Sequence, residues 1–204
     1  AEFARLRAID GATGVIGPAI YEPRARTYYG FHVLDGLRYR RVEPGTLTDG
    51  AVRCATINSA GTFCPLEVMQ RVGPFDAGLF IDHVETEWCF RASAAGYTLY
   101  GTNAVELEHR MGDDVLSLKL PGKTITLPYR SPHRHQYLMR NSVAMLKRPT
   151  IPRIWKAYCV VKIVITLVLF GTVSNEPRAQ RRAILAGIRD GLRNRSGPIA
   201  PLTR

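Results

Sequence analysis

Residues 157–173 form seventeen mostly apolar positions broken by Lys162 and Thr166. This run limits what the chain can fold into more than any other feature. A bilayer crossing takes roughly 20 apolar residues, and a lysine near the middle of one is costly. Pro149 and Pro152 set the run apart from what precedes it, and Gly171 with Asn175-Glu176-Pro177 closes it. An interfacial or re-entrant helix is therefore expected rather than a span. In the helix expected next, Arg178, Arg182, Arg189 and Arg193 are spaced to form one stripe, and Ile184, Leu185, Ile188 and Leu192 the neighbouring one. Basic and apolar stripes together suit the headgroup region of an anionic membrane. The alternative is a core helix capping the domain, with the arginines keeping its surface soluble.

Charge is concentrated in the same segment. Residues 147–204 carry twelve Lys and Arg against Glu176 and Asp190, a net +10 of the chain's +11, while the other 146 residues hold 16 basic and 15 acidic groups. A charge confined to one tail addresses an anionic surface. Nucleic acid is the weaker reading, because its binders interleave aromatics with basic residues and the tail offers only Trp155, Tyr158 and Phe170. The remaining residues suffice for one globular domain with its own core. The expected division is 1–148 and 149–204. Cys54, Cys64, Cys89 and Cys159 form no CxxC pair, which points to reduced thiols in a cytoplasmic protein. The chain starts at Ala1 without a leader pattern, which reads as a cut end rather than a targeted one.

The local pattern predicts an α/β fold. The first six residues read as the end of a helix, 14–20 as a buried strand, 21–50 as hairpins and loops, and 52–59 as a strand. Helices are expected over 65–72 and 82–95, the second stopped by Gly96. Two short strands, 97–100 and 104–108, are expected around Gly101-Thr102-Asn103, then a loop over 110–129. Ser131 at the N-cap and Pro132 at the first helical position open a helix through Leu146.

The segment with most chemistry is Gly73-Pro74-Phe75-Asp76, then Phe80-Ile81-Asp82-His83-Val84-Glu85-Thr86-Glu87-Trp88, then Arg91-Ala92 and Gly96-Tyr97. By spacing alone, Asp82 and Glu85 make a capping box, with Glu87 facing water. Two more segments follow in order: Glu108-His109-Arg110-Met111-Gly112-Asp113, and Ser131-Pro132-His133-Arg134 with Tyr137, Arg140 and Asn141. Taken together, the three resemble the family 2 glycosyltransferases, and especially their rhamnosyltransferase branch, over about residues 12–197. That branch carries an acidic cluster ending in Thr-Glu-Trp, a His-x-x-Gly-Asp element and a Ser-Pro-x-Arg-x-x-Tyr-x-x-Arg-Asn element.

The resemblance implies a partial GT-A type fold, a mixed sheet with flanking helices followed by a C-terminal helical tail. It implies an inverting hexosyltransferase that moves a sugar, rhamnose in this branch, from a nucleotide-diphosphate donor such as dTDP-rhamnose to a glycan or lipid-linked acceptor. The place implied is the cytoplasmic face of the inner membrane. Such chemistry needs a base for the acceptor hydroxyl and a divalent ion, Mg or Mn, on the departing diphosphate. The family's catalytic carboxylate falls at Glu85, where relatives more often have Asp, with Asp82 and Glu87 as fallbacks. Asp82 reads as both cap and site residue. The resemblance puts His109 at the metal, and Ser59, Gly61, Glu87, Trp88, Arg134 and Arg140 at substrate. For Ser59 and Gly61 a plain tight turn is an equal reading, and for the arginines a solvated helix surface is the alternative. His133 and His135 lie two apart on the expected helix and so do not make a zinc pair. Family members begin with a nucleotide-binding half that ends in Asp-x-Asp-type carboxylates, and no acidic pair of that kind occurs upstream of Gly14. The donor half is expected to lie outside this chain, leaving weak or no donor binding. A family 2 transferase of another sugar, and a non-catalytic membrane-binding remnant, are the competing readings.

Overall fold

Residue 110 ends the longest described stretch of the computed structural model, which describes residues 1–110, 114–120 and 123–199, the segments within 114–128 by backbone alone. The chain divides into two units, one made of Ala1–Asp76 with Glu85–Arg110, the other of Ala77–Val84 with Met111–Arg204. The segment before residue 148 from Met111 onward falls in the same unit as the tail.

In the first unit, helix α1 (Glu2–Ile9) leads into β1 (Thr13–Glu22), which is buried along most of its length. Strands buried on both faces read as near-continuous apolar runs, and Val15, Ala19 and Ile20 supply that here. Strand β1 pairs antiparallel with β2 (Thr27–Tyr28) and parallel with β6 (Thr98–Glu108), which pairs antiparallel with β5 (Ala51–Cys54). The result is a mixed sheet in the order β2-β1-β6-β5. A separate hairpin, β3 (Phe31–Asp35) and β4 (Arg38–Val42), fills the region read as hairpins and loops. Helix α2 (Leu66–Val72) sends Val68 into the core beside Val15, Phe31 and Leu99, and α3 (Val84–Ala94) sends Trp88, Cys89 and Ala92 there. Gly96 ends α3 at φ +90°, a value that glycine adopts without a Cβ clash.

Three sequence expectations change. The two short strands around residues 101–103 are one strand, β6, whose register against β1 shifts between Pro18 and Ala19, so the irregular residues are absorbed as a bulge. The strand expected over 52–59 stops at Cys54. The loop expected over 110–129 contains a hairpin, β7 (Asp114–Leu120) and β8 (Lys123–Tyr129). The period-2 alternation of Leu116, Leu118 and Leu120, repeated in Ile125 and Leu127, was the available signal.

The second unit is built on three helices: α4 (Pro132–Lys147), α5 (Arg153–Val173) and α6 (Pro177–Leu192). Helix α5 has 21 residues, four more than the apolar run, because the turn beginning at Arg153 joins it. Met139, Phe170 and Ile184 make the shared core. Helices α4 and α6 also meet through buried polar pairs: His135 Nδ1 lies 2.6 Å from Gln180 Oε1, and Gln136 Nε2 donates to Asp190 Oδ2 at 2.9 Å. Lys147 Nζ closes the far end of α6 on the carbonyls of Gly191 and Leu192.

This approach requires glycine. A Cβ on Gly187 would stand 2.3 Å from the Gln136 carbonyl oxygen, and one on Gly191 2.6 Å from that of Arg140. Backbone on α4 cannot yield as a side-chain tip can. Gly187→Ala is therefore expected to cost about 1–3 kcal/mol through overpacking, read as a lower denaturation midpoint. An unchanged midpoint would show that the two helices do not pack this closely.

Candidate functional site

Residues 77–84 carry three non-glycine residues in the left-handed region, Phe80 at φ 64°, Asp82 at 62° and His83 at 63°. Each such residue costs on the order of 1 kcal/mol or more and persists only where its surroundings impose it. Helix α4 imposes it. Asn141 Nδ2 lies 2.8, 2.7 and 2.9 Å from the carbonyl oxygens of Leu79, Ile81 and Asp82. Its Oδ1 accepts from Arg140 Nε at 2.9 Å, which orients the amide unambiguously. Arg140, only 1% exposed, donates through Nη2 to Gly78 and Leu79 and through Nη1 to Gly197. Burial holds its pKa below the usual arginine value. Phe80 stacks on Tyr137 at 5.3 Å, and the Arg140 guanidinium sits over the same ring at 5.0 Å.

So fixed, the loop presents Asp82. Its side chain is 8% exposed, with Oδ1 3.1 Å from Arg134 Nη2 and 3.6 Å from Arg130 Nε. Oδ2 is buried without a hydrogen-bond partner among the described residues, as are Arg130 Nε and His133 Nδ1. Buried polar atoms are normally paired, so the open Asp82 oxygen, with Arg130 Nε 3.6 Å from the other oxygen of the same carboxylate, marks a place where a polar ligand would be satisfied. Lys162 on α5 lies within electrostatic reach of Arg130. Arg130 and Arg134 both lie against the Asp82 carboxylate, and guanidinium groups are suited to phosphate oxygens.

Asp82 does not cap α3. The helix starts at Val84, which puts His83 at the cap position, and the Asp82 backbone is left-handed rather than extended. His83 Nε2 is 3.0 Å from Ser142 Oγ, and its ring meets Trp155 edge-on at 5.5 Å. The residue keeps some exposed surface, yet burial of the imidazole pulls its pKa down to about 4, with the Arg130 charge acting in the same direction.

In the first unit, Glu85 lies in the first turn of α3, partly exposed. Glu87, on the next turn, does not face water: it is 2% exposed and both its oxygens accept from Arg91 Nε at 2.9 Å. Arg91 in turn donates to the carbonyls of Val72 and Pro74. Trp88 is a core residue whose Nε1 donates to the Gly73 carbonyl at 2.8 Å. These two hold the 73–74 turn against α3. Ser59 is exposed and Gly61 sits in a turn at φ 67°, where a Cβ would stand 2.9 Å from Pro18. Local geometry accounts for that glycine.

His109 follows β6, and its amide donates to Tyr21 O at 2.9 Å. Among the described residues no three His, Cys, Asp or Glu side chains converge as a metal set, so His109 stands as a single candidate ligand. Met111, Gly112 and Asp113 lie outside the described residues. All four cysteines are free, and burial pushes the Cys54 and Cys89 thiols up to about 12, which leaves them unreactive. His135 is buried against Gln180 and Phe170, so it does not join His133. The sequence reading assigned no role to Asn141, Arg130 or His83. The Arg140-Asn141 pair had been visible as the end of its motif, but nothing local says which carbonyls an asparagine will find.

No family model matches the chain. Over 140 residues it is 34% identical to the dTDP-rhamnosyl transferase RfbF of Shigella flexneri, a match that takes in 68% of this chain and 46% of that protein. The chain thus spans about half the length of the curated relative it matches.

Two outcomes are expected. Asn141→Ala strips partners from buried carbonyls and should lower stability by roughly 3 kcal/mol, measured by chemical denaturation; a loss under a few tenths would mean the loop holds itself. Because the His83 pKa is lowered by folding, its contribution is fully present above the unfolded value near 6.5 and is lost as pH falls from there to about 4. His83→Gln should flatten that part of the stability-pH curve.

Proposed function

We propose that this chain is the acceptor-side part of an inverting glycosyltransferase that moves a rhamnosyl group from a nucleotide-diphosphate donor, dTDP-rhamnose, to a hydroxyl of a cell-surface glycan or lipid-linked acceptor. The observation that carries this reading is the 34% identity to a dTDP-rhamnosyl transferase over 140 residues. In the proposed step the acceptor oxygen attacks the anomeric carbon as the bond from that carbon to the diphosphate breaks. The diphosphate departs with the bonding electron pair, and the hydroxyl proton passes to Glu85. The partly exposed position of Glu85 is compatible with that role. Glu87, closed off by Arg91, is not placed to take a proton.

Asp82, Arg130 and Arg134 are the proposed polar contacts of the second unit. The free oxygen of Asp82 would accept from a substrate hydroxyl, and the arginines would pair with phosphate oxygens. Trp88 supports α3 from the core of the first unit, and Arg140 supports the Asp82 loop within the second, rather than touch substrate. A divalent ion on the departing diphosphate belongs to the same proposal, with His109 as one candidate ligand.

The test is transfer by the protein extended to the length of its relative, offered a panel of nucleotide sugars. dTDP-rhamnose is expected to be the preferred donor, and preference for another sugar would reject the rhamnosyl assignment. Glu85→Gln should lower kcat by about 100-fold or more at unchanged folding. Transfer at the parent rate would remove Glu85 as the base. Asp82→Asn should act mainly on KM for the acceptor.

A further inference from the structure

Helix α5 is long and apolar enough to cross a bilayer by length and composition, but its two sides are not alike. Trp155, Cys159, Thr166 and Phe170 are buried, and Phe170 packs with Met139 of α4 and Ile184 of α6. The opposite side presents Val160, Val161, Val164, Ile165 and Val168, each between 48% and 59% exposed. Aliphatic side chains at that spacing on one helix make a contiguous apolar strip, and soluble surfaces carry few of these without a partner. A spanning helix meets lipid around its circumference, whereas one side of α5 is already occupied by α4 and α6.

Lys162 does not interrupt the strip. Its position on the helix, about two turns beyond Trp155 and one turn before Thr166, is in phase with the buried residues rather than with the valines, although the residue itself is exposed. Basic groups stand at the start of the same helix and on the next one. Arg153 and Lys156 stand in the first turn of α5. The outward stripe of α6 runs Arg178, Arg182, Leu185, Arg189 and Leu192, all exposed. Between Arg153 and Ile199 the only acids are Glu176 and Asp190, and Asp190 is buried against Arg195 and Gln136. The sequence expected Ile184 beside Leu185 on an apolar stripe facing lipid. In the structure Ile184 is fully buried in the helical core, so the outward face of α6 is basic with leucines set into it.

We propose that this surface docks on an anionic lipid bilayer, with α5 lying in the plane of the interface, its valine strip among the upper acyl chains and the arginines of α6 at lipid phosphates. Charge complementarity selects this occupant. A second copy of the chain would set arginine against arginine, a like-charge juxtaposition that opposes pairing. The inference rests on the second unit alone and is independent of the sugar chemistry.

The experiment is co-sedimentation of the full chain with phosphatidylcholine vesicles, with and without phosphatidylglycerol. Binding is expected to be tighter by about tenfold or more on the anionic vesicles and to weaken as salt rises. The double substitution Val164→Gln with Val168→Gln should abolish most binding to either vesicle, and Arg182→Glu with Arg189→Glu should remove only the preference for anionic lipid. Circular dichroism on both variants checks that the helices persist. Equal, salt-insensitive binding of the parent chain to both vesicles overturns the charge argument. Absence of vesicle binding, with a dimer in analytical ultracentrifugation that the valine variant dissociates, would make the strip a protein interface instead. Bound protein should be released by alkaline carbonate; retention would mean that α5 crosses the bilayer and would overturn the in-plane placement.

Discussion

The second unit depends on two adjacent side chains of α4. Arg140 and Asn141 between them contact the carbonyls of Gly78, Leu79, Ile81 and Asp82, and Arg140 also reaches Gly197. A loop with three left-handed residues is unfavourable by itself, and a ladder of hydrogen bonds from a rigid helix offsets that cost. Because Arg140 is buried, an unfilled partner would be expensive. The network therefore has few half-formed states, which gives Asp82 a fixed direction. Chain continuity into α3 makes the same loop the lead-in to Glu85.

The acidic residues of one short segment end in different circumstances. Glu87 is consumed by Arg91, which in turn ties down the carbonyls of Val72 and Pro74. Asp82 is held on one oxygen and left open on the other. Glu85 remains partly exposed. Ion pairing sorts a scaffold carboxylate from those available for chemistry, through a neighbour on the same helix for Glu87 and through partners far away in sequence for Asp82. Arg130 and Arg134 lie about fifty residues beyond Asp82, and nothing local to the acidic cluster announces them.

Much of the fold was legible. The buried strand at β1, the helices α2, α3 and α4, and the glycine stop after α3 follow from apolar spacing and local backbone chemistry, which neighbouring residues fully specify. The hairpin of β7 and β8 was missed although its alternation was present. The single strand β6 was split because Gly101-Thr102-Asn103 reads as a turn, whereas pairing with β1 on one side and β5 on the other keeps it extended. The acidic cluster was recognised, but the division of labour within it was not.

By itself the sequence determined where most of the helices and the buried strand β1 lie, where the positive charge lies, and that a carboxylate cluster sits at the start of α3, because these depend on residue type and short-range spacing. Only the tertiary structure decided that Arg140 and Trp88 belong to the scaffold and that Asp82 keeps an open oxygen. Each of these depends on which distant backbone or side chain comes within about 3 Å, and contacts of that range are fixed by packing rather than by pattern.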